Sequence, residues 1–379
     1  MEVDKIEKQR NYSLDLLRIV AIIMIIIFHV CYKGLIFENL SGFNKIIVAF
    51  LLHFGEIGVN LFMLITGFFL YKSHSSKKTK IIHLIYDIWF YFILNIILCI
   101  IIKGGYIPTL STFFPVSLGY YWYITSYIAI LLLSPYLNLF ISSLNQKYHR
   151  KLLVVSFFLL SAIPTIPGLA VNSAENGVIY SRFIWLIFLY FLGSYISKYQ
   201  ELDCIFKKDR ESFVKLHFFP LILAVVFIFI FKYLSSPFMP KISMYYMWPP
   251  NSIVTLLMSV SLFMIFVKTN VAKKNPLINK LIKVSEHTLG IYLIHDAPYN
   301  YLLLASFFAW LQTYSTSKSL IIFIVLTTIL VFFGGLIISI IKKHTADKIF
   351  RKFLNYISQK FKLDLIQEYL DTGCSQRCL

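Results

Sequence analysis

The stretch LDLLRIVAIIMIIIFHVCY, residues 14–32, runs apolar without a break from Ile19 to Phe28, with Arg18 before it and His29 after it. As a helix rising about 1.5 Å per residue, it matches the roughly 30 Å thickness of a bilayer's hydrocarbon core. Runs of the same kind recur along the chain. They predict ten spans, over 14–32, 46–71, 81–102, 120–141, 152–170, 181–198, 216–234, 251–268, 286–310 and 319–341. The expected fold class is therefore all-α: a polytopic integral membrane protein of about ten transmembrane helices. Composition agrees. The 379 residues are 58% hydrophobic and 14% charged, where a soluble domain carries about 25% charged residues.

The net charge of +18 does not point to nucleic acid. The basic residues form short clusters between apolar runs, and no separate basic domain exists to bind a duplex. With ten spans and a cytoplasmic N-terminus, 29 of the 36 Lys and Arg fall in inside segments and 7 in outside ones. That asymmetry predicts cytoplasmic N- and C-termini. A transmembrane domain is expected over 1–343 and a basic amphipathic cytoplasmic tail over 344–379. In the tail Ile349, Phe353, Ile357 and Phe361 recur every fourth position among Lys348, Arg351, Lys352, Lys360 and Lys362. Such a helix is expected to lie on the leaflet.

Five cysteines, Cys31, Cys99, Cys204, Cys374 and Cys378, show no metal-ligand spacing. Neither a disulfide framework nor a metal site is expected. The first apolar run is too long for a cleavable leader, and the C-terminus has its cysteine misplaced for prenylation.

Ionisable groups inside a bilayer are expensive and need a partner, a cavity or a function. His29 follows Arg18 by eleven positions, so the two lie about 20° apart on one helix face and roughly 16 Å apart along it. Asp15 stands three residues before Arg18, at pairing distance. The plain alternative is an interfacial Asp15–Arg18 pair plus a structural histidine bonded to a neighbouring helix. The second span carries His53, Glu56, Asn60 and Thr66 among glycines. Glu56 is the costliest group there and a candidate partner of His29. Lys77, Lys78 and Lys80 open the third span, either as topology determinants or as phosphate contacts, with His83 and Asp87 deeper. Tyr120, Tyr121, Trp122 and Tyr123 open the fourth, as interfacial belt residues or as the lining of a sugar site. The ninth holds His295 and Asp296, neighbours that point about 100° apart on a helix. A histidine to take a hydroxyl proton, a cationic path for an anionic donor and a water-poor cavity are the needs of group transfer.

Several of these segments resemble the membrane-bound acyltransferase 3 family, the bacterial integral-membrane O-acetyltransferases. Ser13–Arg18 followed by His29 is similar to its first helix, in which Arg precedes His by eleven positions. Gly58–Phe68 resembles its second-helix pattern, where Asp often stands for Asn60. Tyr121-Trp122-Tyr123 with Ser134-Pro135 resembles its fourth helix, and Leu289–His295 its late Gly-Ile-Tyr-Leu-Ile-His signature. Lysines stand where the family commonly has arginines entering the third helix, which forfeits the bidentate fork on phosphate.

The resemblance implies a multi-pass protein of a bacterial plasma membrane. Acetyl-CoA or another acyl-CoA would be the donor substrate, with no permanently bound cofactor and no metal. The acceptor would be a hydroxyl of a glycan or lipid-linked sugar, and membrane lipid would be the remaining partner. It makes His29 the base or a transient acyl carrier, Arg18 a donor-positioning cation, and Glu56 an orienting group. Lys77, Lys78 and Lys80 become contacts for the donor's phosphates. Asp15, Trp122 and His295 are further candidates. A membrane transporter or flippase for a sugar, amino acid or lipid intermediate is the rival function, because buried His, Glu and Asp also serve proton-coupled carriers. A ligand sensor is a third.

Overall fold

The computed structural model describes residues 11–36, 39–72, 78–103, 121–165, 181–233, 249–271, 276–297 and 307–361. Every regular element in them is helical. Five stretches are long and apolar enough to cross a membrane: Tyr12–Gly34, Gly42–Leu70, Lys80–Ile102, Trp122–Ser143 and Leu320–Ile357. The protein is thus an all-α, multi-pass membrane protein. Its outward surface fits lipid. Ile93, Ile97 and Ile101 on the third of these stretches, and Leu330, Phe333 and Ile337 on the last, are exposed. In water such stripes would be a liability; against acyl chains they are solvated.

Helix α1 (Tyr12–Gly34) starts where the Asn11 side chain accepts the Leu14 amide at 3.2 Å. Asp15 lies in its first turn and Lys33 in its last, each matched to the helix dipole. The second expected span is stepped. Helix α2 (Gly42–Leu51) gives way at Leu52 to α3 (His53–Leu70), and His53 Nδ1 bonds back to the Ala49 carbonyl at 3.1 Å. Helices α4 (Lys78–Lys103) and α5 (Trp122–Ser143) follow. Pro135 inside α5 has no N–H for the Leu131 carbonyl. The preceding Ser134 donates its hydroxyl to that carbonyl at 2.8 Å, so the Ser-Pro pair repairs its own break.

The fifth expected span is not one straight helix. Helix α6 (Gln146–Phe157) passes into a π-helical turn (Phe158–Ala162) and the short α7 (Ile163–Thr165). Pro164 offers no amide to the Leu160 carbonyl, and Asn251 Nδ2 donates to that carbonyl at 2.8 Å. Helices α8 (Arg182–Tyr199), α9 (Arg210–Tyr233) and α10 (Ile253–Val267) come next. The ninth expected span, 286–310, also departs from a continuous helix. Helix α11 (Pro276–Ser285) breaks at Glu286–His287, and α12 (Thr288–His295) stops at Asp296. A short helix, α13 (307–312), precedes α14 (Leu320–His344) and α15 (Ala346–Phe361).

Helix α3 lies at the centre of the bundle, against α1, α8 and α10. Its glycines set the spacing. A Cβ on Gly67 would strike the Tyr190 carbonyl, and one on Gly193 would strike the Leu64 carbonyl, so α3 and α8 interlock backbone to backbone. Asn60 ties the same helices through polar atoms. It donates to the Pro250 carbonyl at 2.9 Å and to Ser259 at 3.2 Å, and accepts from the Trp185 indole at 2.9 Å. The family-like Asn60 is therefore a structural hub of α3, α8 and α10.

The first part of the expected tail docks on the bundle. Lys342, fully buried near the end of α14, reaches Asp87 of α4 at 2.5 Å and Asp347 of α15 at 2.6 Å. Phe350 of α15 stacks on Tyr86 with 3.8 Å between ring centroids. Ile349 and Phe353 remain exposed beside exposed Arg351 and Lys352. Residues 362–379 of the tail lie outside the described residues, as do Lys77, Tyr120, Cys374 and Cys378.

Candidate active site

A cavity of about 270 Å³ opens where the C-terminal ends of α1 and α12 meet the N-terminal ends of α3, α5 and α8. Among the described residues, His29, Lys33, Glu56, Trp122, Arg182 and Asp296 bring its polar and charged groups. Tyr123, Tyr292 and Phe28 add aromatic wall. These residues come from sequence positions 28 to 296, and only the packing of five helices unites them.

His29 is the centre of a chain of bonds. His295 Nδ1 lies 2.7 Å from the Ile291 carbonyl one turn back on α12. A carbonyl only accepts, so that nitrogen carries the hydrogen and His295 Nε2 is left as an acceptor. His29 Nδ1 sits 3.0 Å from it and must be the donor. The remaining nitrogen, His29 Nε2, keeps its lone pair and stands 3.4 Å from Asp296 Oδ1. Asp296 is fixed in turn by Lys33, whose ammonium is 2.6 Å from the same oxygen. One tautomer of His29 is thus selected by its partners.

The opposite wall belongs to Glu56. Its partner is Arg182, with 3.8 Å between Oε1 and the guanidinium, rather than His29, the candidate partner read from the sequence. The Arg182 guanidinium lies over the Trp122 ring, 4.6 Å from its centroid, a cation–π contact at the cavity's rim. Gly55 lets α3 approach α1 at this wall, since a Cβ there would collide with the Phe28 side chain.

Arg18 does not line this cavity. It pairs with Asp15 at 2.6 Å and faces the Phe69 ring, 5.9 Å from the centroid, at the other end of α1. Lys80 reaches the Tyr127 hydroxyl at 3.5 Å, and Lys78 is exposed at the start of α4. His29, Glu56, Trp122 and His295 are therefore brought together, whereas Arg18, Asp15, Lys78 and Lys80 stand apart from them. No group of three or more His, Cys, Asp or Glu suited to a metal occurs among the described residues.

Sequence reasoning missed three contributors. Lys33 follows His29 by one helical turn, and that spacing was a usable signal. Arg182 and Lys33 belong to the 7 Lys and Arg of the outside segments, where a charge count alone gives them no more than a loop role. Asp296 was singled out only as a neighbour of His295.

The comparisons with known proteins bear on this site. No curated protein and no solved structure matches the chain. The family model described as "Acyltransferase domain" (Acyl_transf_3) matches residues 11–341, which contain every cavity residue named above and all of α1 through α13. A partly buried histidine set in a cavity between apolar helices is consistent with acyl transfer inside a membrane. The family implies a donor of the acyl-CoA type, and the chain belongs to this acyltransferase 3 family as a membrane-bound acyltransferase.

Proposed function

We propose that the chain is an O-acyltransferase, specifically an O-acetyltransferase, that moves an acyl group from cytoplasmic acyl-CoA to a hydroxyl of a cell-surface or lipid-linked glycan. The observation that carries the proposal is the bond chain from the Ile291 carbonyl through His295 to His29. It leaves His29 Nε2 as a base within the cavity.

In this proposal the acceptor hydroxyl donates to His29 Nε2 and its oxygen attacks the thioester carbonyl. A C–O bond forms as the C–S bond breaks. The proton taken by His29 passes to the departing CoA thiolate. Positive charge develops on the imidazole during attack, and Asp296 at 3.4 Å lies where that charge appears. Glu56 and Trp122 stand on the acceptor side. This reading gives Arg18, held by Asp15, and the cations Lys77, Lys78 and Lys80 of the sequence the role of meeting the CoA phosphates on the donor side. Roughly 16 Å of α1 separates the two ends, a span for the pantetheine arm to cover.

The test compares purified intact protein with His29→Ala in lipid nanodiscs. Thiol released from acetyl-CoA and base-labile ester on added bacterial surface glycan are measured together. The proposal expects both with the native chain and neither with His29→Ala. Solute flux across proteoliposomes that continues without acyl-CoA, with no ester formed, would instead establish a carrier.

A further inference from the structure

Among the buried polar atoms of cavity-lining residues that have no hydrogen-bond partner among the described residues are Glu56 Oε2 on α3 and the Tyr123 hydroxyl on α5. Both side chains are at least nine-tenths buried. An unsatisfied buried carboxylate oxygen is costly, and native interiors rarely keep one without use. We infer that Glu56 Oε2 and the Tyr123 hydroxyl form an acceptor subsite that takes a single polyhydroxylated ring through hydroxyls other than the reacting one. The inference rests on the transferase reading above and names what its acceptor must offer.

Three features set the ligand's chemistry. Glu56 Oε2 can only accept while the carboxylate is ionised, so it calls for a donor, which a ring hydroxyl supplies. The charges balance in pairs, Glu56 with Arg182 and Asp296 with Lys33, so no surplus cation calls for an anionic ligand. The cavity, about 270 Å³, sits at the low end of the roughly 300–1,000 Å³ of small-molecule sites. That suits one sugar-like ring rather than an oligosaccharide.

Glu56→Gln inverts the subsite. Arg182 faces Oε1 and holds the amide oxygen on its side, so the amide NH₂ takes the place of Oε2 and meets a ligand donor with a donor. The probes are myo-inositol, with a hydroxyl on every ring carbon, and cyclohexanol, with one. Intact protein in nanodiscs is assayed for acetyl-CoA-dependent ester on each. Binding of each without acetyl-CoA is followed by ligand-observed NMR. The expected result is a preference for inositol of about ten- to a hundredfold, the worth of one or two hydrogen bonds to a charged group. Glu56→Gln collapses that ratio and Tyr123→Phe lowers it, in variants that remain monodisperse. Equal use and equal binding of the two rings by the native chain overturns the subsite, as does a ratio unmoved by either variant. If neither ring is acylated but inositol still binds and Glu56→Gln abolishes that binding, the subsite stands and the transferase reading falls.

Discussion

His29 Nδ1 and His295 Nε2 lie 3.0 Å apart although 266 residues separate them in the chain. The contact decides which nitrogen of His29 faces Asp296, because His295 is itself committed to the Ile291 carbonyl. In the proposed mechanism His295 acts through His29 as a positioning residue. Replacing it with Ala frees His29 to adopt either tautomer. The expected outcome is a loss of about 10- to 100-fold in kcat, the usual cost of removing a histidine's orienting partner. KM for acyl-CoA should stay near its native value. His295→Gln, whose amide oxygen can accept from His29, should recover part of the rate. Thiol release from acetyl-CoA under saturating acceptor checks this. A KM effect with unchanged kcat would assign His295 to binding instead.

Asp296 and Lys33 form the other side of the same histidine, at 3.4 Å and 2.6 Å along the chain His29–Asp296–Lys33. Asp296→Asn removes the negative charge that balances the imidazolium while keeping the side chain's shape. It should lower kcat by about tenfold or more, as electrostatic groups at developing charge do. Lys33→Met touches His29 only through Asp296 and should cost less. The ordering of the two variants in kcat, with equal amounts of folded protein, is the measurement. Equal or reversed costs would place the main role of the pair elsewhere.

The contrast between these residues shows what the sequence could carry. Arg18 and His29 were visible because an apolar helix makes any ionisable group conspicuous. Their shared face was computable from helical pitch. The convergence of His29 with Asp296 was not, because it depends on where α12 stops. Asp296 caps that helix instead of continuing it, so regular helical angles did not predict its direction. Lys342 shows a second limit. The charge count placed it in a cytoplasmic segment, yet it is fully buried, since counting by sequence position says nothing of depth. Breaks at Leu52, Phe158–Ala162 and Asp296 fell inside long apolar runs that hydropathy reads as single spans. Pro164 was a local sign of one such break.

The α3–α8 crossing should be intolerant of volume. Gly67 faces the Tyr190 carbonyl and Gly193 the Leu64 carbonyl, each so close that a Cβ has no room. A backbone carbonyl cannot rotate away as a side-chain tip can. Gly193→Val should therefore push the helices apart and disturb the Asn60–Trp185 bond that spans them. The expected outcome is a large loss of monodisperse protein on size-exclusion chromatography in mild detergent. Gly334→Ala serves as the control, because nothing lies within 4 Å of a Cβ there. Equal behaviour of the two variants would show that the crossing is looser than its geometry.

Lys342 offers the sharpest test of how the C-terminal helix is held. Its ammonium is shared by Asp87 and Asp347 and lies over the Tyr86 ring, 4.5 Å from the centroid. One cation therefore joins α4, α14 and α15 where water is excluded. Lys342→Met leaves two carboxylates without the cation they share, with His83 Nε2, 3.7 Å from Asp87, as a remaining neighbour. Breaking a buried pair in this way costs about 3–5 kcal/mol, because the stranded charge stays desolvated. The predicted result is a marked drop in the thermal midpoint in detergent, together with faster proteolysis within α15 as its anchor is lost. Neutralising the acids as well, in Lys342→Met combined with Asp87→Asn and Asp347→Asn, removes the stranded charges and should recover much of the midpoint. Recovery of the midpoint with continued proteolysis of α15 would mean that the ion pair holds the helix while the Tyr86–Phe350 stack alone does not. Recovery of both would assign the docking to the aromatic stack, with Lys342 needed only to neutralise its neighbours.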